Sequence, residues 1–416
     1  MSETIPKGWT NTTYSEVLSR RKETHTNNGT YPLYSLTIEK GVTPKSDRYE
    51  REFLVRDKEA KKYAVIYPND LVFNPSNLRW GAIARSKVSF KVLASPIYEI
   101  CEPNIRKITP EYLGYLATSD LMMRRYLQFV QGTLVERTGL HIDDFLPIPI
   151  SIPSLTEQQK IAEILTSVDE VIENTQSQIN KLEDLKKATM NELLTRGIGH
   201  TEFKETEIGR IPKSWKLESL KRVATVRVSN VDKKIYEGEK RISLCNYMDV
   251  YKNRYLTNKN KYMLSTASER EIKQYGLRRG DLVVTKDSES PDDIGRPALI
   301  DETVCDLVCG YHLAIIRSDA KIVDANYLLW WLQSNYVAKW FYINANGTTR
   351  FGLPTEAIES LPIPLPSPEE QGQIGRIGRD FTGRLMFCQE KKEQQIALKK
   401  SLMQDLLTGK VRVTVN

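Results

Sequence analysis

Few residues in this chain stand at spacings that could make or break a covalent bond. Asn74-Pro75-Ser76-Asn77 is the nearest approach to the Asx-Pro-Pro-aromatic motif of adenine methyltransferases, and it lacks the second proline and the ring. No Gly-rich cofactor loop accompanies it. No G-x-x-x-x-G-K-[ST] phosphate loop occurs, so ATP-driven motor work is not encoded. Pro291-Asp292-Asp293 resembles the start of a nuclease carboxylate cluster, yet no Glu-x-Lys follows at useful distance, and it reads as a solvated acidic turn. His25, His141, His200 and His312 each lack a neighbouring nucleophile and acid. Cys305, Cys309 and His312 lack a second Cys/His pair to complete four ligands. With Cys101, Cys245 and Cys388 they read as buried free thiols, not a disulfide framework. The expectation is a chain with no catalytic residue, no metal and no cofactor of its own.

The bulk properties fit a binding protein. The chain has 416 residues, 40% of them apolar and 27% charged, enough for two or three domains with proper cores. A net charge of +7 permits a polyanionic partner without demanding one. Met1-Ser2-Glu3-Thr4 opens without a basic and apolar leader, and no apolar run approaches the roughly 20 residues of a membrane span. A cytoplasmic protein with no membrane partner is expected.

The elements that must position any binding residues occur twice. Ile5-Pro6-Lys7-Gly8-Trp9 recurs as Ile211-Pro212-Lys213-Ser214-Trp215, and Asn69-Asp70-Leu71-Val72 as Gly280-Asp281-Leu282-Val283. Gly132-Thr133 matches Gly347-Thr348. Leu146-Pro147-Ile148-Pro149-Ile150, followed by Glu157-Gln158, is echoed by Leu361-Pro362-Ile363-Pro364-Leu365 and Glu370-Gln371. Met190 to Thr195 matches Met403 to Thr408. The offset drifts only from 206 (Ile5 to Ile211) to 215 (Leu146 to Leu361), so two collinear copies are present.

Within each copy, β-type runs come first: 63–67, 88–92, 282–284 and 312–316. Helical stretches follow at 112–116 and 327–332. A proline run then ends the domain, because Pro fixes φ and lacks an N–H. Ser154 and Thr156 are both suitable N-caps, the latter forming a capping box with Gln159. Beyond them Ile161, Leu165, Val168, Ile172, Thr175, Ile179 and Leu182 recur at 4-3-4-3-4-3, a coiled-coil seam. Residues 156–194 contain no Pro or Gly and predict a rod of roughly 58 Å. That helix is acidic, with five Lys/Arg against eight Asp/Glu over residues 156–196. The second long helix, from Glu369 to about Thr408, carries Ile374, Ile377, Phe381, Leu385, Ile396, Leu402 and Leu406. Gly372, Gly375, Gly378 and Gly383 are expected to weaken its first turns.

Chain order makes the helices antiparallel partners. The fold class is therefore mixed α/β: two globular domains joined by two long antiparallel helices in a coiled coil, a tandem repeat with a pseudo-two-fold axis. The boundaries are 1–153 for the first domain, 154–196 for the first helix, and 197–366 for linker and second domain. The second helix takes 367–409, and a tail at 410–416 returns toward the first domain.

The run "LPIPISIPSLTEQQKIAEIL" and its echo "LPIPLPSPEEQGQIGRIG", each opening a long helix that closes in "LLT", resemble the specificity subunits of type I restriction–modification systems. The "IGRIPKSW", "GDLVV" and "NGTTR" segments fit as well, and the resemblance covers essentially the whole chain. Gly-Thr-Leu-Val-Glu-Arg in the first copy departs from the more typical Gly-Thr-Thr-Arg of the second. The resemblance implies a non-catalytic subunit whose two target recognition domains each read half of a split, asymmetric double-stranded DNA sequence. The helices measure the gap. Two modification subunits bring S-adenosylmethionine, and restriction subunits bring ATP and Mg. Two other readings compete: the specificity chain of a related methyltransferase–nuclease that cuts beside its site, and a coiled-coil adaptor that binds proteins.

Reading DNA needs side chains that pair with base edges, backed by cations on phosphates. Loops bearing Arg, Lys, Asn and Thr next to strands are the places to expect them. In the first domain these are Asn74, Asn77, Arg79, Arg85, Lys87, Thr133 and Arg137; in the second, Lys286, Ser288, Arg296, Thr348, Thr349 and Arg350. Arg350 is the leading candidate.

Overall fold

A computed structural model describes residues 6–45, 62–129 and 139–414. The chain divides into two compact units, residues 1–176 with 390–416, and residues 177–389. Each is mixed α/β.

In the first unit, Leu18–Arg20, Glu99–Pro103, Leu71–Phe73 and Ile83–Arg85 form an antiparallel sheet in that order. Helices Pro110–Ala117 and Asp120–Phe129 cover it. In the second unit the sheet order is Ala224–Val228, Leu313–Ser318, Leu282–Thr285, Pro297–Ile300 and Tyr255–Leu256, with helices Ala325–Leu332 and Asn335–Asn344. The run 88–92 enters a strand only at Val92, and Phe90 points to solvent.

The recurring Asn/Gly-Asp-Leu-Val segment explains itself locally. Asn69 (φ 68°) and Gly280 (φ 91°) sit in the left-handed region, which Gly and Asn reach most easily. The next residue is a buried carboxylate that accepts the N–H three residues back, Tyr67 for Asp70 and Arg278 for Asp281, both at 2.8 Å. Each is neutralised by one arginine held by two bonds: Arg21 at 2.9 and 3.1 Å, Arg317 at 2.7 and 2.6 Å. Burial pushes the Asp70 carboxyl up, against the pull of Arg21 and the Tyr67 N–H. The motif is thus a strand-entering turn locked by a salt bridge.

The proline runs form strands. Pro149–Ile152 pairs antiparallel with Thr10–Thr13, and Pro362–Leu365 with Lys216–Ser219. Two-stranded ribbons tolerate Pro because its missing N–H can face away from the partner. Each run therefore binds the end of a globular region to its beginning.

The long helices span Leu155–Arg196 and Pro368–Leu407, both unbroken. Ser154 Oγ, not Thr156, caps the first, accepting the Glu157 N–H at 3.3 Å; Ser367 repeats this with Glu370. A buried glutamine then fixes each start to its own globular region. Gln158 accepts the Thr109 N–H at 2.8 Å and donates to the Lys107 and Pro153 carbonyls. Gln371 accepts the Asp324 N–H at 2.8 Å and donates to Ile322 and Pro366.

In the first unit the two helical segments run antiparallel. Lys392 donates to Gln176 at 2.5 Å and Lys399 pairs with Asp169 at 2.6 Å, seven residues forward on one helix for seven back on the other. Leu402, Met403, Leu406 and Leu407 join Ile161, Ala162 and Leu165 in the core. In the second unit Ile198 donates to Glu370, and Met190 and Leu194 share a core with Ile374. Leu182 lines a groove there with Gly383, Arg384, Phe387 and Cys388.

Of the expected seam, Ile161, Leu165, Ile179, Ile374, Leu385 and Leu406 are buried, while Val168, Ile172, Leu182, Ile377, Phe381 and Leu402 are half-buried. Ile396 is exposed. A regular 4-3 count from Leu385 gives Cys388, Lys392, Gln395, Lys399, Leu402 and Leu406, and the three polar residues among them are all half-buried. Ile396 lies one position off that line. At Gly378 in the second helix glycine serves packing, since a Cβ there would collide with the Trp330 indole. Among the thiols, Cys101, Cys245 and Cys309 are buried, Cys388 is half-buried and Cys305 is exposed.

The tail of the second helix folds back within the first unit. Arg412 makes a bidentate ion pair with the buried Glu157, both bonds 2.7 Å, and donates to the Lys7 carbonyl. Glu370, the repeat partner of Glu157, instead accepts from the Ile198 N–H and the Trp215 indole, and contacts His200 Nε2 at 2.9 Å.

Candidate nucleic-acid interface

The second unit gathers five of its six expected residues on one structure. Asp287–Ser288 pairs with Phe351–Gly352, and the segment between Asn346 and Gly352 is closed by two backbone bonds of 2.9 and 2.8 Å. Gly347 (φ 136°) makes the turn. Leu353 N–H donates to the Lys286 carbonyl, so the Gly-Thr-Thr-Arg loop is tied to the strand end that carries Lys286 and Ser288. Thr348, Thr349 and Arg350 project into solvent from it.

Asp287 organises the charge there. Its carboxylate lies 2.7 Å from His312 Nδ1, 3.3 Å from Arg350 Nη2 and 3.9 Å from Lys286 Nζ. One acid thus holds two obligate cations and a histidine and fixes the direction of the Arg350 side chain, on a loop that also carries Glu289, Asp292 and Asp293. Tyr311 lies against His312, ring centroids 3.7 Å apart. Arg296, the sixth, lies in the 286–296 loop, paired with Asp293 and stacked 4.7 Å over Tyr251.

The corresponding loop of the first unit joins Leu71–Phe73 to Ile83–Arg85. It carries Asn74, Asn77 and Arg79, and Arg79 lies 5.1 Å over the exposed Trp80 ring. The Asn74 side chain accepts the Ser76 N–H, shaping the loop from within. Arg85 and Lys87 are not brought to this loop but stand at the open end of the hairpin. Arg85 is engaged by Asn69 at 2.6 Å and Glu111 at 2.9 Å, whereas Lys87 is exposed. Thr133 and Arg137 lie outside the described residues.

Sequence reasoning missed Asp287, Tyr311 and Trp80, and His312 in this role. From sequence alone, His312 is weighed as a catalytic base and as a metal ligand; among the described residues no group of three or more His, Cys, Asp or Glu is placed to hold a metal. Its partners are 25 and 38 residues away in the chain. A usable signal existed for Trp80: a large ring beside an arginine within a loop.

Two mixed α/β repeats, each ending in a long helix and each presenting an Arg-aromatic hairpin loop, define a duplicated binding protein. The family model described as type I restriction modification DNA specificity domain matches residues 6–184 and again 212–397, and the chain belongs to that family. It is 26% identical over 377 residues to the putative type I restriction enzyme MjaX specificity subunit of Methanocaldococcus jannaschii, covering 86% of this chain and 82% of that one. The MjaVIII specificity subunit of the same organism is 27% identical over 380 residues, covering 86% and 84%. The fold is shared with a chain from a structure of complex assembly and conformational transition in a type I R-M system, at TM-score 0.57, 17% identity and coverage of 98% and 100%. The type I restriction–modification S subunit from M. genitalium superposes with TM-score 0.55 at 13% identity, covering 98% and 97%.

Proposed function

We propose that this chain is the DNA sequence-recognition subunit of a type I restriction–modification complex and performs no chemistry itself. The observation that carries the reading is the duplicated family match across two units that each present a loop with an arginine beside an aromatic ring. The finer assignments rest on that. The domains at 1–153 and 197–366 each read one half of a bipartite target in double-stranded DNA. The helices at 154–196 and 367–409 pack as a coiled coil that sets the gap, and the 410–416 tail closes onto the first domain. Two modification subunits dock on the helices. Exposed Val171, Leu185, Met386, Phe387, Ile396 and Leu398 on those helices suit a protein partner. S-adenosylmethionine enters with the modification subunits, and ATP and Mg with restriction subunits. No helix among the described residues is long and apolar enough to cross a membrane, and the complex is expected to work in the cytoplasm.

Base and phosphate contacts fall to Arg350, Thr348, Thr349, Lys286, Ser288 and Arg296 in one domain. In the other they fall to Asn74, Asn77, Arg79 and Lys87, with Thr133 and Arg137 as further candidates. Arg85 reaches DNA only if it leaves Asn69 and Glu111.

Expressing the full chain with its modification subunit and mapping methylated adenines across a genome tests the reading. A bipartite motif with a fixed gap is expected; a contiguous motif, or none, sinks it. Arg350→Ala should weaken DNA binding by about 1–3 kcal/mol while assembly with the modification subunit is unchanged. Unaltered affinity at moderate salt would remove Arg350 from the interface.

A further inference from the structure

The junction between helix and globular region is built twice, and only one version is balanced in charge. Over the long helices the repeat offset is 213 residues, as Glu157 to Glu370 shows, so Asp169 corresponds to Thr382 and Lys399 to Lys186. In the first unit Asp169 accepts from Lys399 at 2.6 Å and from the Tyr115 hydroxyl at 2.8 Å. In the second unit the acid is missing. Trp330 stands in the place of Tyr115, at the offset of 215 that relates Leu146 to Leu361. Arg254 is added: it stacks 4.7 Å over Trp330 and donates to Gln333 Oε1 at 2.8 Å and Thr382 Oγ1 at 3.1 Å.

Two cations therefore meet with no acid paired to either, and Glu183, three residues back on the helix, offsets Lys186 only in part. Neither Arg254 nor Lys186 forms an ion pair among the described residues. They lie close enough to oppose each other, and burial together with Arg254 drives the Lys186 ammonium down from its ordinary value. A guanidinium offers five N–H donors, and two of the five are used here. Arg254 lines an open cleft of about 1070 Å³ whose wall also includes Lys252, Lys259, Arg296 and Arg379 and the acids Asp292 and Asp301. Of these, Arg379 is spent on Asp301 and Arg296 on Asp293. The buried hydroxyl of Tyr255, on the same wall, finds no acceptor among the described residues. A half-buried charge with no acid partner is left undercompensated, so a fold that keeps one gains when a counter-ion arrives.

We propose that the cleft between Arg254, Tyr255 and the second long helix is an oxyanion site that takes a phosphate group, supplying the charge that Asp169 supplies in the other repeat. Phosphate is favoured over a protein carboxylate because the wall continues to Arg296, in the loop assigned to DNA. The DNA backbone is thus one source and free phosphate the other. The backbone source rests on the recognition function proposed above; the site itself does not.

The test uses the full chain. Melting is followed in sodium phosphate and in sodium chloride at matched ionic strength, for wild type, Arg254→Gln and Thr382→Asp. Wild type should melt several degrees higher in phosphate, by ligand linkage. Both variants should lose that rise, and Thr382→Asp, which restores the internal acid, should melt at or above wild type in chloride. The second arm measures DNA affinity against salt for the chain assembled with its modification subunit. If the backbone is the source, the slope of log K against log salt falls by about one in each variant while the methylated motif stays the same. A lost phosphate response with an unchanged slope assigns the site to free phosphate. A chain that binds no DNA yet answers phosphate through Arg254 overturns the recognition reading and leaves the site standing. A phosphate response absent from wild type, or surviving both substitutions, overturns the site.

Discussion

Gln158 and Gln371 show how far a residue's role is visible from sequence. Their recurrence after each proline run is plain, and helped carry the family resemblance. Their task is not, because two of the three groups each binds lie 47 to 51 residues earlier, at Lys107 and Thr109 and at Ile322 and Asp324. A buried amide that satisfies one N–H and two carbonyls cannot be replaced cheaply, since each abandoned buried group costs about 1–3 kcal/mol. Gln371→Ala should destabilise the second unit by about 3 kcal/mol in chemical denaturation. Gln371→Glu should fare no better, having lost the two donors. A loss under about 0.5 kcal/mol would mean that water replaces the amide. The same distance problem hid the interface. Lys286, Ser288 and Arg350 were legible as polar loop residues, whereas Asp287 and His312, which aim Arg350, become meaningful only once strands bring them together.

At the scale of elements, apolar periodicity located both helices and most of their packed faces. It failed at Ile396 for a physical reason. The face continues through the half-buried Lys392, Gln395 and Lys399, and the two lysines bury their stems and bond across to Gln176 and Asp169. A hydrophobic count steps over such a stretch and lands on the nearest isoleucine. The proline strands were missed similarly, because Pro argues against a ladder except in an edge ribbon. The second helix is also held by charge: Arg379 reaches Asp301 through two bonds of 2.8 Å and Asn326 at 2.7 Å. The Arg379 bonds hold the Asp301 carboxyl below its ordinary value. A depressed carboxyl stabilises the fold at pH above its unfolded value near 4, and that contribution fades as pH falls through the folded value. Asp301→Asn should therefore cost stability at pH 7, by about 1 kcal/mol or less given the partial exposure of Arg379. The gap to wild type should close below about pH 4. An equal gap at pH 3 and pH 7 would assign the cost to lost packing instead.

At the scale of the molecule, duplication made the architecture legible, since each copy vouches for the other. It also shows that the copies are alike in joints and different in tips. The turn at Asn69 or Gly280, the acid after it, the capping serine and the buried glutamine all recur, while the loops proposed to face DNA share little. That pattern is what a reader of two unlike half-sites needs, and the proposed reading leaves the spacing of those half-sites to the helices. Both helices pass from one unit to the other, the first after Gln176 and the second after Gln389. Four residues inserted at each point add about 6 Å to an α-helix. They also turn it by about 40° past a full rotation. At 3.4 Å per base pair that length equals roughly two base pairs of DNA. Inserting Ala-Glu-Lys-Leu after Gln176 and again after Gln389 should therefore keep both half-sites and lengthen the unread gap by about two base pairs. Methylation mapping of the assembled complex reads this directly. Lengthening one helix alone should leave the pair out of register and abolish methylation. Unchanged spacing in the doubly lengthened chain would show that the gap is set elsewhere, by the domains or by the modification subunits, and would remove the helices from the role of ruler.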